Sequence, residues 1–233
     1  VRGGGDIATG TIYKLVKSGF HVLILEIAHP SAIRRNVAFS EAVYEEKWQV
    51  EDMTCHLVYD IKEDSGSNLW LATYANGAYC YNVNEKKWTN YLHDENNPRS
   101  LPYDKVLSIF EDSHRQIWLT TQGGGFCKFH PATETFTSYD SRNGLPNDVV
   151  YQIVEDKEGL MWLTTNNGLV SFQPATGAMK VYTTANGLLG EQFNYRSSFE
   201  TEDGTIYLGS IDGFVAFNQK NFSENKSLPS IVI

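Results

Sequence analysis

Residues 144–168, GLPNDVVYQIVEDKEGLMWLTTNNG, hold two short apolar runs split by a charged turn and closed by Asn-Asn-Gly. The first run, Val149–Val154, is rich in β-branched and aromatic residues and reads as a strand. A polar turn at Glu155–Gly159 leads to a second strand around Met161–Thr165. Asn166-Asn167-Gly168 supplies residue types that tolerate φ > 0, as a tight hairpin demands. A third strand at Leu169–Phe172, a turn at Pro174–Gly177 and a fourth strand near Met179–Thr183 follow. Asn186-Gly187-Leu188 then opens the next copy.

The pattern recurs in phase. The aromatic after each charged turn is Trp70, Trp118, Trp162 and Tyr207, with spacings of 48, 44 and 45 residues, the range of four-stranded propeller blades. A lone sheet with two apolar faces cannot bury either. Radial stacking of such sheets buries both and leaves only short edges. The consecutive apolar residues Met161, Trp162 and Leu163 suit a strand covered on both sides. The expected fold is therefore mainly β, a partial β-propeller of about four four-stranded blades, with the Trp/Tyr positions packed between blades. The turn Asp156-x-x-Gly159-x-x-Trp162 resembles an Asp-box hairpin, in which the carboxylate accepts backbone N–H bonds while Gly takes the left-handed position. Ser67 and Arg115 stand at that Gly position in copies one and two. The pairs Glu63/Asp64, Glu111/Asp112 and Glu155/Asp156 read as turn formers.

The 233-residue chain carries a net charge of −9, almost all of it after residue 56, without clusters of Lys or Arg. Nucleic acid and anionic lipid need a basic footprint, so neither is an expected partner. No run approaches the roughly 18 apolar residues of a membrane span, and VRGGGDIATG lacks the layout of a signal peptide. The missing initiator Met suggests a fragment. Cys55, Cys80 and Cys127 form no CxxC; Cys80 and Cys127 occupy the same place in successive repeats and read as buried small residues. The six histidines show no metal-ligand spacing, no G-x-S-x-G elbow occurs, and the carboxylates recur at turns rather than as a glycosidase pair. No catalytic residue, metal or cofactor is expected, and the chain reads as non-enzymatic.

The repeated ED-x(3,4)-LW-L-x-T pattern, with linkers such as Gly144-Leu145-Pro146-Asn147-Asp148-Val149, resembles the two-component regulator propeller repeat over about residues 57–222. That resemblance implies a sensor region of a bacterial hybrid two-component system responding to polysaccharide breakdown products. It also implies a periplasmic location and, as partners, neighbouring propeller, Ig-like and kinase domains. A complete propeller of that family has more blades than four. Residues 223–233, ending in LPSIVI (Leu228–Ile233), look like a linker and the first strand of a following Ig-like domain.

Residues 1–56 follow other rules. Gly3, Gly5 and Ala8 form a G-x-G-x-x-A pattern; Ile7–Lys17 has helical spacing stopped by Ser18-Gly19; His21–Ile27 reads as a buried parallel strand. Glu26 lies about 20 residues beyond the glycines, where a dinucleotide fold sets a carboxylate on the ribose. The reading is a truncated Rossmann-like β-α-β segment with Gly3, Gly5 and Glu26 as candidate nucleotide-binding residues. The segment, including EIAHPSAIRRNVAFSEAVYEEKWQVEDMT, resembles the start of an accessory-protein family associated with selenium-dependent molybdenum hydroxylases. Arg34, Arg35 and Glu41 fall in that run without an assigned role. Two unrelated pieces joined near Thr54–Tyr59 are the expectation.

Antiparallel connectivity places the turns between second and third strands on the same face as the linkers between repeats. That rim carries Asn76, Gln122, Asp148, Asn166, Asn167, Arg196 and Asp212. Amides bridge vicinal hydroxyls and rings stack on sugar faces, so an oligosaccharide is the expected ligand. The structural alternative is that these residues serve the φ > 0 positions of the turns. Two other functions compete: a protein-interaction platform, including a homodimer, and a nucleotide-binding accessory protein of molybdenum hydroxylase maturation acting through residues 1–56. Open end blades also predict aggregation or partner-dependent folding.

Overall fold

The computed structural model describes residues 1–26, 30 and 37–218. Arg34, Arg35, the end of the strand expected at His21–Ile27, and the linker and Ig-like strand expected at 223–233 lie outside the described residues.

The N-terminal segment contains α1 (Asp6–Lys17), which starts at Gly5 and stops at Ser18-Gly19. Of its apolar residues Ile12 is deeply buried, against Phe39 and Met53, whereas Ile7 is 88% exposed. The expected strand after the helix is reduced to a single parallel bridge, Arg2–Leu25, with Gly3 N–H donating to Leu25 C=O at 2.7 Å. Leu25 is 58% exposed, because one bridge without flanking strands cannot cover an apolar face. A parallel Rossmann-like sheet is thus not formed among the described residues. The short α2 (Ala42–Glu45) leads into an antiparallel hairpin, β1 (Lys47–Val50) and β2 (Met53–His56).

Each repeat is an antiparallel sheet in sequential order. The first is β3 (Val58–Glu63), β4 (Leu69–Thr73), β5 (Ala78–Asn82) and β6 (Lys87–Tyr91). The second is β7 (Val106–Glu111), β8 (Ile117–Thr121), β9 (Phe126–His130) and β10 (Thr135–Tyr139). The third is β11 (Val150–Glu155), β12 (Met161–Thr165), β13 (Gly168–Gln173) and β14 (Ala178–Tyr182), within a residue or so of the boundaries expected from its sequence. The fourth comprises β15 (Phe193–Glu200), β16 (Thr205–Ser210) and β17 (Gly213–Asn218) among the described residues.

The sheets pack as blades. Every residue of β8 and of β12 is buried, the mark of a strand covered on both faces. The three indoles that follow the charged turns pack onto the next blade: Trp70 on Phe129, Trp118 on Phe172, Trp162 on Phe217. All three are 1–2% exposed. Tyr207 departs from the expectation and is 38% exposed, because no described blade follows the fourth. Phe199 and Phe214 on the same open face are 65% and 62% exposed.

The charged turn and the tryptophan form one unit. Asp112 accepts the backbone N–H groups of His114 and Gln116 on Oδ1 and the Trp118 indole N–H on Oδ2, at 2.8–2.9 Å. Asp64 and Asp156 repeat this with Gly66, Asn68 and Trp70, and with Glu158, Leu160 and Trp162. In the fourth repeat Tyr207 has no N–H to offer, and Thr201 replaces the aspartate, its hydroxyl accepting Thr205 N–H at 3.0 Å. Gly159 is left-handed at φ 79°, and Ser67 and Arg115 are driven to φ 62° at the same place. The preceding glutamates act between blades. Glu111 accepts Ser65 N–H of the first blade, and Glu155 accepts both N–H and O–H of Ser113 in the second.

Candidate functional site

Val106 and Ile109 pack into one core cluster, and Val150 and Ile153 into another, although residues three apart on a regular strand face opposite ways. An extra residue must lie between them. The pairing register accordingly shifts once in β3 between Val58 and Asp60, in β7 between Val106 and Ser108, and in β11 between Val150 and Gln152. The bulged residues are Tyr59, Leu107 and Tyr151. In β15 the interruption is longer, from Phe193 to Ser198, and contains Tyr195 and Arg196 with φ 48°. A bulge re-aims a side chain, and here all four blades aim theirs at the same place.

Tyr59, Leu107, Tyr151 and Tyr195 line a cleft of about 430 Å³ where the first strands converge. Tyr59 stacks on Tyr74 with ring centroids 5.3 Å apart, lies 6.3 Å from Tyr195, and Tyr195 meets Tyr151 edge-on at 4.6 Å. The first and last described blades thereby touch across the cleft, joined also by Arg196 Nη2 donating to Asp60 Oδ1 at 3.2 Å. Glu46, from the end of α2, forms part of the wall. Lys105 Nζ donates to the Tyr74 hydroxyl at 2.8 Å and sits 3.9 Å from its ring centroid. That hydrogen bond holds the Lys105 ammonium above its ordinary pKa. Burial pushes Tyr59 up to about 12 and raises Tyr151 and Tyr195, so these phenols stay protonated donors at neutral pH.

The rim residues expected from the sequence divide by location. Gln122 and Arg196 line the cleft. The Gln122 side-chain oxygen is buried and has no hydrogen-bond partner among the described residues. Asn166 reaches the cleft indirectly by accepting the Tyr151 hydroxyl at 3.0 Å. Asp148 serves the linker, accepting Ser141 N–H at 2.7 Å while its carbonyl accepts Gly125 N–H at 2.8 Å. The Asn76 amide donates to the Tyr79 hydroxyl of its own hairpin. Asn167 and Asp212 are exposed at turns. The turn conformation expected of these residues is not theirs: φ > 0 is taken by Gly77, Gly168 and Gly213, and of the seven rim residues only Arg196 shares it.

At the other end, Gly3, Gly5 and Glu26 are brought near one another, but Glu26 Oε2 accepts Gly4 N–H at 2.6 Å. The carboxylate occupies a loop N–H that a phosphate would need. Glu41 is buried. Burial raises the thiol pKa of Cys55 to about 11 and of Cys80 to about 12, and pushes Cys127 up as well, and all three are free thiols. No group of three His, Cys, Asp or Glu converges as a metal site among the described residues, and no described helix is long and apolar enough to cross a membrane. Sequence reasoning missed Tyr59, Leu107, Tyr151, Lys105 and Glu46. The three-residue offset between apolar partners in V-x-x-I was the available signal for the bulges.

The cleft offers aromatic faces, phenol donors, an amide oxygen and the Arg196 cation, with Lys105 beside it on Tyr74. Residues 144–167 match the family model described as two component regulator propeller. Histidine kinase P4 of Formosa agariphila is 25% identical over 226 residues, covering 76% of this chain and 16% of that protein. Uncharacterized protein YqeB of Escherichia coli is 44% identical over 57 residues, 24% of this chain and 10% of that protein. Its name states no activity, so the resemblance to molybdenum hydroxylase accessory proteins gains no functional support. A solved structure described as the extracellular domain of a hybrid two component system from B. thetaiotaomicron is 25% identical with a TM-score of 0.59, over 71% of this chain and 23% of that one. The chain thus spans about a sixth of the kinase and under a quarter of the solved domain. Residues 144–167 thus form one unit of the two-component regulator propeller type, and the repeat region is similar to the extracellular domain of a hybrid two-component system.

Proposed function

We propose that the propeller is the ligand-sensing part of a hybrid two-component signalling protein, non-enzymatic, acting in the periplasm and responding to oligosaccharides released from polysaccharides. The observation that carries this reading is the set of bulges, which turns Tyr59, Tyr151 and Tyr195 into one aromatic cleft beside the unpartnered oxygen of Gln122. Ring faces stack on the apolar faces of sugars, and phenol and amide groups match their hydroxyls. The likeness to a histidine kinase and to the extracellular domain of a hybrid two-component system supports kinase and adjoining domains as partners in a parent protein. Domain limits of 1–56, 57–222 and 223–233 belong to the same proposal. Calorimetric titration with panels of oligosaccharides tests it. Tyr195→Ala and Gln122→Ala each weaken binding about tenfold or more, whereas Asn167→Ala leaves it unchanged. Binding indifferent to both cleft substitutions would remove the cleft from the reading.

A second reading, a protein-interaction or dimerising platform, draws on the open face of the fourth blade, where Phe199, Tyr207 and Phe214 are exposed. Concentration-dependent dimerisation abolished by Phe214→Ser, without any response to sugars, would favour it.

A further inference from the structure

The charges around the cleft narrow the kind of sugar it would hold. Arg196 and Glu46 line the cleft, and Lys105 and Asp60 adjoin it through their hydrogen bonds to Tyr74 and Arg196. Asp60 is already engaged, with Oδ1 accepting Ile61 N–H at 3.0 Å as well as Arg196, and Oδ2 accepting Ile109 N–H of the second blade at 2.9 Å. Arg196 gives Asp60 a single hydrogen bond and keeps its remaining guanidinium donors, of five in all. The Lys105 ammonium has no carboxylate within ion-pair distance among the described residues, although Glu46 acts on it at longer range, and its one hydrogen-bonded partner there is the Tyr74 hydroxyl. Two cations with spare donors therefore border an aromatic cleft, in a chain whose net charge is −9.

Resting on the reading of this cleft as a saccharide site, we propose that its ligand is an anionic oligosaccharide, whose carboxylate or sulfate ester is bound by Lys105 and Arg196. A neutral sugar can return only hydroxyl oxygens to cations it strips of water, whereas an anionic group returns an opposite charge, with both donor and acceptor ionised. Glu46, on the wall supplied by the N-terminal segment, makes no ion pair among the described residues and opposes the anion. It supplies a test of opposite sign.

The experiment is calorimetry on the full 233-residue chain with three tetrasaccharide probes: a neutral gluco-oligomer, a hexuronate oligomer, and a neutral backbone bearing sulfate esters. At least one anionic probe binds about tenfold or more tighter than the neutral one at low salt, and the advantage shrinks when salt is raised. The better of the two identifies carboxylate or sulfate. Lys105→Met shrinks the advantage of the anionic probe over the neutral one, and Glu46→Gln enlarges it. A neutral probe bound as tightly as both anionic ones overturns the charge assignment and leaves the cleft as a saccharide site. Lys105→Met weakening all probes alike also overturns it. Absence of heat with every probe sinks the saccharide reading and this inference with it. Should the Lys105 variant fail to melt like the parent, Glu46→Gln decides: unchanged or weaker anionic binding refutes the proposal.

Discussion

Replacing Asp112 by alanine tests the physical core of the repeat. The Asp112 carboxylate is 5% exposed and accepts three hydrogen bonds, from His114 N–H, Gln116 N–H and the Trp118 indole. A hydrogen bond to a charged group contributes about 1.5–3 kcal/mol net. The two backbone donors belong to a turn near solvent and regain water, so each costs less than that. The Trp118 side chain is 1% exposed, so its orphaned N–H carries the full desolvation penalty. The loss comes to about 4 kcal/mol for Asp112→Ala. Asp112→Asn keeps one acceptor oxygen for the turn but sets an amide donor against the indole, a loss of about 2 kcal/mol. For a chain of this length 1 kcal/mol moves the melting midpoint by about 2–4 °C, so the alanine variant melts roughly 8–16 °C lower. Circular dichroism melts read this directly, and Trp fluorescence reports whether the indole has gained solvent. An alanine variant melting within about 2 °C of the parent, or an asparagine variant as damaged as the alanine one, would refute the Asp–indole account.

Arg115→Gly relieves a side chain held at φ 62°, so urea denaturation shows a gain of about 0.5–1 kcal/mol, whereas Gly159→Arg loses a comparable amount. Gly125→Ala fails more severely, because the new Cβ would overlap the Tyr139 carbonyl oxygen at a backbone φ of 71°; loss of soluble, cooperatively melting protein is the expected outcome. Phe199→Ser with Phe214→Ser removes exposed rings from the open face of the fourth blade, and light scattering then reports less self-association. Cys127, wholly enclosed with its thiol pKa raised by burial, resists iodoacetamide at pH 8 in the native chain and reacts once urea unfolds it.

The repeat, its strand limits and its turn chemistry were legible in the sequence, because each rests on short-range requirements. The aspartate, the left-handed residue three positions on and the indole six positions on lie within a single hairpin, so a linear motif records them. The paired change to Thr201 and Tyr207 in the fourth copy is readable for the same reason. Burial of Trp70, Trp118 and Trp162 follows from the repeat itself, since each of these blades is followed by another that covers its indole. Tyr207 fails that rule because burial there depends on a following blade, which is a property of the assembly rather than of the hairpin. The parallel strand expected at His21–Ile27 is reduced among the described residues for a like reason: an apolar run becomes a strand in a parallel sheet only when partners flank it, and Leu25 has one bridge.

The cleft lay beyond a linear reading. Tyr59, Tyr151 and Tyr195 sit in three different blades, and their meeting depends on the rotation between sheets and on the bulge in each first strand, a single residue in β3 and β11 and a longer interruption in β15. Amide-rich turns drew attention by residue type, yet Asn76 and Asp148 were consumed by their own hairpin and linker. Residue identity determined which hairpins form and how they close. Only the curvature of the stacked sheets decided which side chains share a wall, because contacts across an axis are set by the summed geometry of all the blades.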